Sequence, residues 1–107
     1  MKLVIEKSPR KFLEIESAED GSIIKLEIKN ITVSQTQENE NLIKTLEEDY
    51  SGGKLSSVSY MFATMKLLVC DFDENLFNDF ETAHMMQIIE CVRKMQQGKS
   101  EDEKKNL

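Results

Sequence analysis

The residues best suited to acid–base or metal chemistry lie in the second half of this chain. His84 is the sole histidine, and Glu81 precedes it by one helical turn, so the two side chains can meet at the start of a helix. Cys91 follows His84 by two turns, which places the two groups about 10 Å apart. A thiolate–imidazole pair needs a shorter distance. We therefore expect His84 to be a surface or half-buried histidine, and the chain to be no enzyme.

Metal and phosphate sites are not indicated either. A lone histidine without HExxH or zinc-knuckle spacing predicts no metal centre and no cofactor. The stretch "DFDEN" at 71–75 resembles half of a calcium loop, but Leu76 and Thr82 stand where glycine and glutamate are required. The glycine pair at 52–53 lacks the spacing of a phosphate-binding loop. We interpret 71–75 as a solvated acidic linker and 52–53 as a hinge.

Methionine is the unusual feature that remains. Of six methionines, five lie in the second half of the chain, at positions 61, 65, 85, 86 and 95. A flexible, polarizable side chain suits surfaces that hold varied apolar partners, but it also fills ordinary cores. Helical spacing does not separate the two roles. The residues that we expect to face a partner or to share the core with it are Met61, Met65, Leu68, Met85, Met86 and Ile89.

The first third of the chain has the residue pattern of β-strands. Residues 2–7 read as a short strand, residues 11–17 alternate apolar and acidic side chains, and residues 22–34 alternate again after the turn dipeptide Asp20-Gly21. The alternation in 22–34 changes phase near Asn30, which predicts a β-bulge. We expect a three-stranded antiparallel β-meander with one wet face over residues 1–34.

From residue 36 to 98 the apolar period becomes helical. The first predicted helix ends at the glycines 52–53, and the second carries a wide apolar stripe behind a cap at Ser56 or Ser57. A loop or one short turn follows. The last helix is predicted from about Asp79 to Gln97, with a capping box between Asn78 and Glu81.

These elements predict an α+β fold in a single domain, residues 1–98, with a β-rich part at 1–34 and about three helices at 36–98. The charged segment 99–107, "KSEDEKKNL", is expected to be a disordered tail.

Composition limits the partners. The 107 residues include 20 acidic and 14 basic ones, for a net charge of −6, which argues against binding nucleic acid or an anionic membrane. No apolar run is long enough to span a membrane, and the N-terminus is too charged for a signal peptide. We therefore expect a cytoplasmic protein. Cys70 and Cys91 are interpreted as two buried free thiols, with a disulfide between them as the alternative.

The order of these features resembles that of a known family. The β-rich start, the acidic balance, the linker "CDFDENLFNDFE", the amphipathic "MMQIIECVRKMQQG" and the charged tail are together similar to the tail assembly chaperones of long-tailed phages and prophages of Gram-positive bacteria. The similarity lies in the composition and the order of these segments and involves no catalytic signature.

The resemblance implies a non-enzymatic role. Such chaperones coat the hydrophobic, helical tape measure protein, help the tail tube protein polymerise around it, and act in the host cytoplasm without entering the mature virion. Some also exist in a longer, frameshifted form. Self-association through the apolar face is expected as well, since an empty apolar groove is unfavourable. The alternative is a small acidic phage or regulatory protein that inhibits a host factor, as a nucleic-acid mimic.

Overall fold

Two strands and three helices follow one another along the chain, so the predicted α+β class is confirmed. The structure, a computed structural model, describes residues 1–98; the predicted tail at 99–107 lies outside the described residues. The elements are β1 (Lys11–Glu16), β2 (Ile23–Ile28), α1 (Val33–Ser51), α2 (Ser57–Leu68), a short 3-10 helix (Glu74–Phe77) and α3 (Thr82–Gln96).

The two strands form an antiparallel hairpin that follows the alternation in the sequence. Leu13 pairs with Leu26 and Ile15 with Ile24, so the apolar side chains share the face that packs on the helices. The loop between the strands is closed by a hydrogen bond from the Ser17 N–H to the Ser22 carbonyl, at 2.8 Å. Gly21 adopts a positive φ of 73°, as the turn signal in the sequence predicts.

Residues 1–10, which include the predicted first strand at 2–7, have no regular secondary structure. The chain does not turn back at Ser8-Pro9-Arg10, as a meander within one chain requires. It continues past the end of the hairpin, where the Pro9 carbonyl accepts a hydrogen bond from Asn30 Nδ2 at 2.9 Å. The observed sheet is therefore two-stranded.

The outer edge of β2 is partly covered by the segment that follows α2. Ile28 and Val69 form an isolated antiparallel bridge. The Lys29 N–H donates to the Leu68 carbonyl at 3.0 Å, and the Cys70 N–H donates to the Glu27 carbonyl at 2.9 Å. This bridge ties the hairpin to the helical half, and β1 is left at the opposite edge of the sheet.

The predicted bulge near Asn30 is wrong, because β2 ends at Ile28 and a helix begins at Val33. Thr32 caps that helix in a capping box: its Oγ1 accepts from the Gln35 N–H, and its own N–H donates to Gln35 Oε1 at 2.9 Å. The phase change in the sequence therefore marks the end of the sheet.

The later helices follow the predicted order with one correction. Ser56 caps α2, and its Oγ accepts from the Ser59 N–H at 3.1 Å. The predicted short turn is the 3-10 helix. The capping box between Asn78 and Glu81 is wrong: Glu81 is itself the N-cap of α3, and its side chain makes no capping hydrogen bond. The preceding turn ends with a hydrogen bond from the Phe80 N–H to the Phe77 carbonyl, so α3 starts later than predicted.

The core lies where β2, α2 and α3 meet. Its buried apolar members are Leu26, Ile28, Met61, Met65, Leu68, Val69, Phe77, Met85, Ile88, Ile89 and Val92. In contrast, α1 contributes Ile43 as its single buried residue and lies against the outside of α2. The α2–α3 pair is therefore the structural centre of the described chain.

Candidate functional site

The six residues predicted to face a partner divide into two groups. Met61, Met65, Leu68, Met85 and Ile89 are buried, each at most 6% exposed, whereas Met86 is 47% exposed. The buried ones therefore hold α2 and α3 together. Of the six, Met86 and Ile89 also line an open groove on the surface of this pair.

The groove runs between α2 and α3 and encloses about 720 Å³. Most of its lining comes from one face of α3, where residues recur every three or four positions. The lining residues are Tyr60, Thr64, Ala83, Met86, Gln87, Ile89, Glu90, Arg93, Lys94 and Gln97. A groove of this shape, between two helices with an apolar floor, suits the apolar face of a third helix.

The floor and one end of the groove differ in chemistry. Ala83, Met86 and Ile89 provide apolar surface toward the start of α3, while Arg93 and Lys94 lie in its last turn. Lys94 Nζ lies 2.7 Å from Glu90 Oε1, one helical turn away. The site therefore offers an apolar floor with a charged end, and the basic residues there complement the partial negative charge of the helix C-terminus.

Tyr60 forms the wall of the groove on the α2 side. Its ring stacks on that of Tyr50 in α1, with centroids 5.0 Å apart and planes 3° from parallel. Its carbonyl accepts a hydrogen bond from Thr64 Oγ1 at 2.8 Å. Burial of the ring raises the pKa of the Tyr60 phenol, and the nearby Glu47 carboxylate adds to this. The wall is therefore a neutral, aromatic surface at ordinary pH.

A phenylalanine cluster occupies the linker side of the helix pair. The ring centroids of Phe62 and Phe72, of Phe72 and Phe77, and of Phe77 and Phe80 are 5.0 to 5.8 Å apart. This ladder of rings packs against Met61 and Met85, and the remaining cleft there holds only about 80 Å³. The linker aromatics thus cover one end of the core, and the larger opening lies on the Tyr60 side.

The residues considered for acid–base chemistry do not form a site with one another. His84 Nδ1 lies 3.2 Å from Glu81 Oε2, as the spacing predicted, and both side chains are exposed. Cys70 and Cys91 are free, and both are half-buried rather than fully buried. Among residues 1–98, no three histidine, cysteine, aspartate or glutamate residues lie together as a metal site requires.

Sequence reasoning missed the roles of Tyr60 and Arg93 at the groove. Both are amphipathic side chains that fall outside the apolar stripes of their helices, and a prediction based on apolar spacing does not include them. The signal was present in the spacing of Ala83, Met86, Glu90 and Arg93, a line of i, i+3 and i+4 neighbours that the core does not use.

Comparisons with profiles of protein families, with curated protein sequences and with solved structures found no match to this chain. No helix within residues 1–98 is long and apolar enough to cross a membrane.

Proposed function

We propose that this chain is a non-enzymatic tail assembly chaperone of a phage or prophage. It binds apolar helical segments of the tape measure protein in the groove between α2 and α3, keeps that protein soluble, and assists the tail tube protein in polymerising around it. It acts in the bacterial cytoplasm and is left out of the mature virion. Residues 2–7 keep their predicted role as a third strand that pairs with β1.

The observation that carries the proposal is the exposure of Met86 on the floor of the groove. A methionine that is 47% exposed beside an aromatic wall offers adaptable apolar surface. Two further methionines of the same helix pair, Met65 and Met85, are buried in the core. A holdase needs such a surface, together with enough charge to stay soluble, and the net charge of −6 supplies the latter.

Co-expression with the tape measure protein encoded nearest this chain tests the proposal. The wild type should raise the soluble fraction of that protein and co-purify with it. Met86→Asp should abolish both effects, because a carboxylate on the floor must lose its hydration when an apolar helix binds. Leu76→Asp is the matched control: Leu76 is 51% exposed and lies in the 3-10 helix, outside the lining of the groove. Equal rescue by wild type and Met86→Asp contradicts the proposal.

The exposed carboxylates of α1 favour a second function, inhibition of a host factor as a nucleic-acid mimic. This helix buries only Ile43, and it carries exposed carboxylates at Glu38, Glu40, Glu47 and Glu48. Salt separates the two functions. Binding through these carboxylates should weaken steeply as salt rises from 50 to about 500 mM, whereas binding through the groove should hold or strengthen.

A further inference from the structure

The N-terminal arm, residues 1–10, carries exposed apolar side chains that its own domain does not cover. Leu3, Val4 and Ile5 are 83%, 69% and 83% exposed. Three adjacent β-formers in this state resemble a strand that lacks a sheet. The arm is held at its base, where Arg10 donates two hydrogen bonds to the Glu27 carboxylate, at 2.9 and 2.8 Å, and the Pro9 carbonyl accepts one from Asn30.

Within residues 1–98, no strand pairs with the outer edge of β1. Ser17 and Ser22 form a hydrogen-bonded pair of the hairpin. Along an antiparallel ladder such pairs alternate with pairs whose backbone N–H and C=O groups point away from the partner strand. The N–H and C=O groups of Phe12, Glu14 and Glu16 therefore face away from β2. These three residues form an open edge, of the kind that pairs with an added strand.

The inner face of the sheet is also incomplete at this edge. Leu26 and Ile28 on β2 are 5% and 1% exposed, whereas Leu13 and Ile15 on β1 are only half-buried. Another strand beside β1, with two apolar side chains on its inner face, would cover them.

One antiparallel register matches the arm to the edge. If Val4 pairs with Glu14, Leu3 falls opposite Ile15 and Ile5 opposite Leu13, on the inner face. In the same register Lys2 falls opposite Glu16, a pair of opposite charge on the outer face. The proposed strand, residues 2–7, matches the six-residue length of β1. A shift by one residue would turn Leu3 and Ile5 outward. A shift by two would leave only one of them opposite an inward-facing aliphatic residue of β1, so this register is the one that pairs both.

The path of the arm decides which edge it reaches. Pro9 is held beside Asn30, and Arg10 beside Glu27, so the chain leaves the hairpin in line with β1 rather than folding back over its open edge. We infer that residues 2–7 add as a third strand to β1 of a second copy of this chain, and that the second copy returns its own arm in exchange. The inferred exchange goes beyond the proposed chaperone function and does not require the groove. The arm of each copy pairs with β1 of the other whether or not a client is bound.

Sedimentation of the purified full chain tests the exchange. The wild type should form a dimer, and Leu3→Asp with Ile5→Asp should weaken the dimer by at least about 100-fold, because two apolar side chains lose their burial. Val33→Asp is the matched control: Val33 is also an exposed apolar residue, 87% exposed, and lies at the start of α1. A monomeric wild type at all concentrations, or a Leu3→Asp/Ile5→Asp chain that remains dimeric, overturns the inference.

Cross-linking identifies the copy that supplies the strand. In a background with both natural cysteines changed to serine, chains carrying Val4→Cys are refolded together with chains carrying Glu14→Cys and treated with a short thiol cross-linker. Exchange predicts a cross-linked species of two chains. The exchange is overturned if a chain that carries both substitutions cross-links only within itself, because residues 2–7 then pair with β1 of the same chain. Neither readout involves a client, so both are independent of the groove.

Discussion

Met85 and Met86 are adjacent in the chain, yet Met85 is 2% exposed in the core and Met86 is 47% exposed on the floor of the groove. The 100° between successive helical residues is enough to separate a packing role from a binding role. Met85→Asp should destroy the cooperative unfolding transition, because an unpaired carboxylate would be buried. Met86→Asp should keep a melting temperature within a few degrees of the wild type. Thermal unfolding followed by circular dichroism measures both, and a stable Met85→Asp variant would contradict the assignment of Met85 to the core.

Met65 gives a prediction about the strength of the α2–α3 contact. Its side chain is 0% exposed. Met65→Ala should lower the free energy of unfolding by about 2 to 5 kcal/mol, since it removes buried apolar atoms and leaves a cavity. Met86→Ala, the control for loss of methionine as such, should change it by less than about 0.5 kcal/mol. Urea unfolding at neutral pH measures both. Similar losses in the two variants would show that Met65 is not more tightly packed than Met86.

The parts of the fold that the sequence predicted are those set by local pattern. The alternation of Leu13 and Ile15, and the turn at Gly21, depend on nearest neighbours and were read correctly as a hairpin. The serine cap of α2 and the short turn at Glu74–Phe77 are equally local. The partners in the cap and the short turn lie a few residues away, and those in the hairpin lie across one short loop, so the local sequence pattern predicts them.

The alternating pattern does not by itself decide two other features of the fold. Residues 2–7 have the composition of a strand, but pairing needs a second edge, and the contacts of Pro9 with Asn30 direct the arm elsewhere. The alternating pattern continues through Val33 and so predicts a helix only from residue 36, whereas α1 begins at Val33. The T-x-x-Q spacing of Thr32 and Gln35 was the stronger local signal, and it predicts the observed capping box.

The candidate site was predictable only in part. The sequence places Met61, Met65, Leu68, Met85 and Ile89 on two apolar stripes and Met86 beside one of them. The depth of each residue depends on how α2 and α3 cross. That crossing buries all of them except Met86. That a client binds in the groove stays a prediction.

Thr32 gives a prediction about helix capping. Thr32→Ala removes the Oγ1 that accepts the Gln35 N–H at 3.2 Å, and should lower the free energy of unfolding by about 1 kcal/mol. Thr45→Ala is the matched control within the same exposed helix, because Thr45 Oγ1 donates a hydrogen bond to the Asn41 carbonyl and caps no helix end. That variant should be unchanged or slightly more stable, since alanine is the better helix former. Equal destabilisation of the two variants would contradict a specific capping role.

The pair formed by Arg10 and Glu27 gives a prediction about pH. The hydrogen bonds from Arg10 lower the pKa of the Glu27 carboxyl below its ordinary value of 4.5. A carboxyl with a lowered pKa in the folded state contributes stability that is present above its unfolded pKa and is lost as the pH falls through the folded pKa. A double-mutant cycle of Arg10→Gln and Glu27→Gln, measured by urea unfolding, should therefore show a favourable coupling at pH 7 that shrinks below pH 4.5 and disappears in stronger acid. Because other carboxyls titrate alike in all four chains, their effects cancel in the cycle. A coupling that persists unchanged in strong acid would mean that the pair is held by packing rather than by charge.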